Sequence, residues 1–239
     1  MIGLGTIINV AAIIVGGILG LFTGGILKDR HRETLCKTCG ISVMFLAIAG
    51  TMEGMLSVEG TGIVSGRSLF VVLCLVIGAL IGEIIDIEGA FEKFAKWLKI
   101  KSGNAKDPNF VDGFLTSSFT VCIGAMAIIG AINDGIYGDY TILTTKAILD
   151  FVIVMVMSAT MGKGCIFSAI PVAVLQGLVT VLATFIKAVL TDASLGNLSM
   201  VGSILIFCVG VNLVWPKTIK VANLLPALII AVGAAYLPF

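Results

Sequence analysis

The chain has 239 residues, of which 58% are hydrophobic and only 12% charged, with 29 glycines, a formal charge of +1 and a mean hydropathy of +1.13. That balance excludes an ordinary water-soluble domain, and the near-neutral charge gives no electrostatic reason to expect nucleic acid as a partner. Apolar runs close to twenty residues recur along the chain, each long enough to cross about 30 Å of hydrocarbon as a helix. A membrane β-barrel would need shorter segments of alternating polarity, whereas the run 68–82 is apolar on every face.

Taken in order, spans are predicted at 2–27, 35–56, 68–87, 111–132, 141–161, 165–190, 198–215 and 221–237. The reading is an all-α, polytopic transmembrane helical bundle of about eight helices, forming a single domain over 1–239. The first span lacks a basic lead-in and a clear A-x-A site, so it is expected to remain in the mature chain. Between the third and fourth spans, Phe91, Phe94, Trp97 and Leu98 recur at helical spacing against Glu92, Lys93, Lys96 and Lys99. This pattern predicts a cytoplasmic, interfacial amphipathic helix over 89–101.

Alternate connections carry the positive charge: Lys28, Arg30, Arg32 and Lys37 at the first, Lys93 to Lys106 at the third, Lys163 at the fifth, and Lys217 and Lys220 at the seventh. Positive charge collects in cytoplasmic loops, so both termini are predicted to be extracytoplasmic. A faint internal repeat pairs Val15–Gly20 with Ile77–Gly82 and Ala47–Gly50 with Ala127–Gly130, which favours a duplicated helical hairpin. Glycines at four-residue spacing, 16/20/24 and 78/82, suit close helix packing within or between subunits.

Polar groups at membrane depth carry more information, because a charge near the bilayer centre costs at least about 2.5–3.5 kcal/mol. Asp150 lies roughly 15 Å from each end of its predicted helix, and Lys146 precedes it by one turn on the same face. The pair reads either as a cation or proton site or as a structural ion pair. Asn9, Gln176, Asn212 and Ser168 are the other candidates for an ion or substrate site, against the alternative that each amide simply cross-links helices. The stretch 162–171, with Gly162, Gly164, Ser168 and Pro171, predicts a weakened or broken helix that frees backbone carbonyls, with a simple proline kink as the alternative. Glu53, Glu83, Asp86 and Asp134 are read as interfacial charges at helix ends, and His31 as part of a solvated charge run. The six cysteines lie mostly in apolar runs as small packing residues, and Cys36-x-x-Cys39 has no second pair to complete a metal site. No catalytic, metal-binding or cofactor motif has enough partners to support an enzyme.

Five strings carry a family resemblance: Gly5–Asn9 (GTIIN), Ile81–Glu83 (IGE), 113–135 (GFLTSSFTVCIGAMAIIGAINDG), 146–177 (KAILDFVIVMVMSATMGKGCIFSAIPVAVLQG) and 210–227 (GVNLVWPKTIKVANLLPA). Together they resemble the bacterial integral membrane proteins classed as domain of unknown function 554, with Trp215-Pro216 as a local departure. The resemblance implies a multi-pass protein of the bacterial inner membrane and carries a suggestion of a sodium channel or pump. The expectation is a cation-linked (sodium or proton) secondary transporter or channel, associating as a homo-oligomer, a dimer, through glycine-rich faces. A non-transporting scaffold or sensor is the competing expectation.

Overall fold

In a computed structural model, residues 2–60 and 62–236 are described. Among the described residues, six helices are long and apolar enough to cross a membrane: α1 (Leu4–Ile26), most of α2 (Asp29–Met55), α3 (Ser68–Ile85), α7 (Thr141–Met161), the run Lys163–Val181 and α10 (Asp192–Val214). Two further apolar segments are not single long helices. Helices α5 (Phe110–Cys122) and α6 (Ala125–Tyr137) form one segment bent by 61° at its middle, and a 3₁₀ turn (Val221–Leu224) leads into the short α11 (Pro226–Ala234). The all-α bundle therefore carries six of the eight predicted spans as single helices and the fourth as a bent pair, while the eighth is an apolar helix shorter than a full crossing. The predicted end of the last span, Leu237, lies outside the described residues, as do Met1 and Phe239.

The expected amphipathic segment is helix α4 (Ile87–Lys101). Its ring face packs on α5, with Phe91 5.3 Å from Phe119 and Phe94 5.9 Å from Phe114 between ring centroids. Trp97 and Ile100 stay exposed beside the lysines. The predicted break at 162–171 is a 3₁₀ turn (Lys163–Ser168) running directly into α8 (Ala169–Val181), after which α9 (Ala183–Val189) completes the segment. Pro171 stands in the first turn of α8, where a missing N–H has little to lose. A short β-hairpin, Leu56–Glu59 paired antiparallel with Gly62–Ser65, closes the second connection and was not foreseen, since its strands continue an apolar helical run.

Pairwise contacts give the helices their directions. Gly16, Gly20 and Gly24 of α1 lie against the backbone carbonyls of Phe151, Met155 and Ala159 of α7. Both sets ascend together, so the two helices run parallel. Gly40 and Gly54 of α2 meet Gly210 and Met200 of α10, and Gly78 and Gly82 of α3 meet Ala227 and Asn223, so those pairs are antiparallel. Helix α1 also runs antiparallel to the 163–181 segment, with Gly17 at Ile166 and Thr6 at Thr180. These relations fit successive apolar segments of alternating direction. They also show that the glycine faces are used inside the subunit, where small residues let backbones approach in the absence of a hydrophobic drive between helices.

The basic connections converge on one end. Arg32, Asp107, Asn109 and Lys163 line one depression there, and Lys217 and Lys220 share another with Glu88 and Asp112. At the opposite end Arg67 donates to Asn197, and Lys187 of α9 sits over the Tyr137 ring, 4.6 Å from its centroid.

A buried ion pair at a broken helix

Gly124 sits at φ 145°, ψ 145°, a conformation that side-chain-bearing residues rarely adopt, and there the α5–α6 crossing breaks. The break leaves carbonyls at the end of α5 without intrahelical donors. Ile123 N–H takes the Phe119 carbonyl, and the Lys146 ammonium, arriving from α7, donates to the Val121 carbonyl at 2.8 Å. One turn further along α7, Asp150 Oδ2 accepts from the same ammonium at 2.5 Å. Both residues are buried, at 7% and 3% exposure. The positive charge thus lies against a carboxylate and against the negative end of a half-helix, an arrangement that lowers the cost of holding ions at membrane depth.

Two uncharged side chains complete the surroundings. Asn9 of α1 lies alongside the Asp150 carboxylate, and its amide nitrogen and oxygen close no hydrogen bond. Gln176 of α8 is likewise buried with both amide atoms unpartnered. The contact of Thr6 with Thr180, 3.5 Å between hydroxyl oxygens, sets the antiparallel register of α1 and α8. One turn inward from that contact on each helix, Asn9 and Gln176 come to the same level. Three of the six expected site residues are therefore grouped around the break, Lys146, Asp150 and Asn9, and Gln176 lies on α8 at the level of Asn9.

The other two serve local turns. Ser168 donates to the Cys165 carbonyl at 2.7 Å and accepts from Ser117 at 3.1 Å, which holds the 3₁₀ turn against α5. Asn212, near the basic end of α10, donates to the Ile219 carbonyl and accepts from the N–H groups of Thr218 and Ile219. Its amide folds the Trp215–Lys220 connection and does not face Asp150.

Asp134 differs from its expected place at an interface. It is fully buried in α6, where Oδ1 accepts from Gly3 N–H at 3.2 Å and Oδ2 from Gly5 N–H at 2.9 Å. A carboxylate there offsets the positive end of the α1 dipole, and at the other end Arg32 donates to the Gly24 carbonyl at 2.5 and 3.1 Å. Helix α1 starts in Gly3-Leu4-Gly5 without a side-chain cap of its own, which was the available signal that a distant acid must supply one.

At the basic end, Asn223 donates to Glu83 and accepts from the Glu88 N–H, while Glu88 accepts from the Ala222 N–H at 2.9 Å. Half-burial pushes the Glu88 carboxyl above its usual range, and the Glu83 carboxylate raises the Lys220 ammonium. A cavity of about 470 Å³ at this end is lined by Glu88, Glu92, Asp112, Asn212, Lys217 and Lys220. None of Lys146, Asp150, Asn9 and Gln176 lines it. Among the described residues no three His, Cys, Asp or Glu side chains converge as a metal site.

Residues 4–236 match the family model described as protein of unknown function (DUF554). The chain is 30% identical over 227 residues to the uncharacterized membrane protein YdfK of Bacillus subtilis (strain 168), covering 95% of this chain and 93% of that one. It is 28% identical over 232 residues to the uncharacterized protein YqgA of Escherichia coli (strain K12), covering 95% and 94%. No solved structure matches it. The chain belongs to the DUF554 family.

Proposed function

We propose that this DUF554 membrane protein is a cation-linked transport protein, a secondary transporter or channel for sodium or protons, whose ion path passes Asn9, Lys146, Asp150 and Gln176. The observation that carries the reading is the pair of unpartnered amides. A primary amide brings two donors and an acceptor, and leaving them unmet away from water costs several kcal/mol on alkane-transfer scales. Gln176 leaves all of its own unmet, and Asn9, level with it, has only the neighbouring Asp150 carboxylate of the buried ion pair to turn to. A bundle that only had to stand in lipid would gain by carrying leucine at both places. Groups that exchange partners during an ion's passage must at some stage be without them.

The reading includes a bacterial inner-membrane location with the basic end in the cytoplasm, so that both termini are extracytoplasmic. A second copy would meet the outer sides of α2 and α3, whose apolar windows are only 17% and 22% buried, because the glycine faces are already occupied. The proposal assigns no covalent chemistry to the chain. A scaffold or sensor is the second reading, favoured by one observation: Asp150 is paired, and the basic-end cavity does not include it. Purified protein in liposomes, assayed for sodium and proton flux beside Asp150→Asn at equal density, separates the two. Flux that the substitution abolishes supports transport. Rates equal to empty liposomes for both ions would discard transport in favour of the scaffold.

A further inference from the structure

We infer that Lys146 is a tethered cation filling the oxygen-lined seat at the α5–α6 break, so that the proton, taken up by the Asp150 carboxylate, is the ion this protein moves. The inference rests on the transport reading above and narrows its ion from a cation in general to one species.

Freed carbonyls at the end of a half-helix, joined by a carboxylate, are the kind of oxygen set with which a broken membrane helix holds a small cation. Here that set is already satisfied by one ammonium, 2.8 Å from Val121 O and 2.5 Å from Asp150 Oδ2. The ammonium is covalently attached to α7 and cannot leave. A metal cation entering would have to take both oxygens from the ammonium, leaving a buried tethered charge without the two acceptors it now has. A proton needs no such seat. It adds to the Asp150 carboxylate, forming an O–H bond and breaking the ion pair, while Lys146 keeps its three protons and its hold on Val121 O. The local charge passes from zero to +1, and release of the same proton to water restores the pair.

The neighbours are consistent with this division. The groups facing the pair from the other elements are Asn9 from α1 and the Cys122 thiol from α5. Gln176 of α8 is uncharged, and Asp134 of α6 is held by the Gly3 and Gly5 N–H groups at the end of α1. Asp150 is thus the carboxylate within reach of the ammonium, and the unpartnered Asn9 amide stands ready to donate to it or to accept from its protonated form.

Two measurements on the intact protein test this. In proteoliposomes carrying an internal pH dye, proton uptake is expected in sodium-free choline medium, unchanged when sodium replaces choline, and lost in Asp150→Asn. Uptake that requires sodium, or sodium flux without proton flux, would overturn the proton assignment while leaving the transport reading intact. No flux of either ion overturns both. Because Asp150→Asn could simply unfold, the melting temperature of the native protein in detergent is measured with sodium, potassium or choline chloride at equal ionic strength. The three curves are expected to coincide, and a rise specific to sodium would show that a metal ion occupies the native protein.

Discussion

Replacing Asp134 should loosen the bundle far more than an acid read as interfacial would suggest. In Asp134→Ala, one buried and one partly buried backbone N–H group at the start of α1 lose acceptors now 2.9 and 3.2 Å away. Each orphaned buried donor costs about 1–3 kcal/mol, and the carboxylate's interaction with the helix end overlaps with these losses. A total near 3 kcal/mol follows, and for a chain of this size it corresponds to a fall of roughly 6–12 °C in melting temperature. Asp134→Asn keeps one amide oxygen but turns an N–H₂ toward a donor, so it should fall between the native protein and Asp134→Ala. The assay is thermal unfolding of detergent-purified protein followed by helical circular dichroism, with exposed Asp139→Ala as the comparison. An Asp134→Ala protein melting within about 2 °C of the native one, on the same scale, would refute the capping argument.

In Gly16→Ala, the added methyl would lie 2.5 Å from Phe151 O, so α1 and α7 must separate, at a cost of about 1–3 kcal/mol. Gly25→Ala, with open space around it, should be neutral or slightly stabilising, and the difference in melting temperature reads the contrast. Asn223→Ala frees the Glu88 N–H and the Glu83 carboxylate together, and faster proteolysis between α3 and α5 than in the native protein is the expected readout. Glu88 has a raised folded-state pKa because it is half-buried, so its contribution is fully present below the ordinary carboxylate range and lost as pH rises through the raised value. Glu88→Gln should keep the bond from Ala222 N–H and flatten the melting-temperature profile across that acid window. An unchanged slope would mean that another group titrates there.

The spanning helices and the basic end were legible in the sequence because both depend on composition summed over many residues. Lys146 and Asp150 were legible because a charge within an apolar run stands out, and i, i+4 spacing puts the two on one face. The break at Gly124 was not, since Ile123-Gly124-Ala125 resembles every other glycine-containing stretch of a glycine-rich chain, and only a backbone angle distinguishes it. The 162–171 stretch displayed more conspicuous breakers yet made a continuous entry into α8, because its proline falls in a first turn. Asn212 and Ser168 carry the same side-chain chemistry as site residues, and only their partners, a connection and a 3₁₀ turn, show what they are used for. Asp134 was misplaced because its two donors are more than 120 residues away in the chain.

The contact of α1 with α7 repeats every four residues, and a pattern that repeats can be met in more than one alignment. Sliding α1 one turn, about 5.4 Å, toward the basic end would set Gly16 at Met155 and Gly20 at Ala159, surroundings much like those of the next glycine along. The glycine face alone therefore resembles a rack with identical teeth. Asp134 and Arg32 act as its end stops, each reaching backbone groups of α1 that a one-turn slide would carry away from it. Both would have to let go, together with the Thr6–Thr180 contact, before the rack could advance.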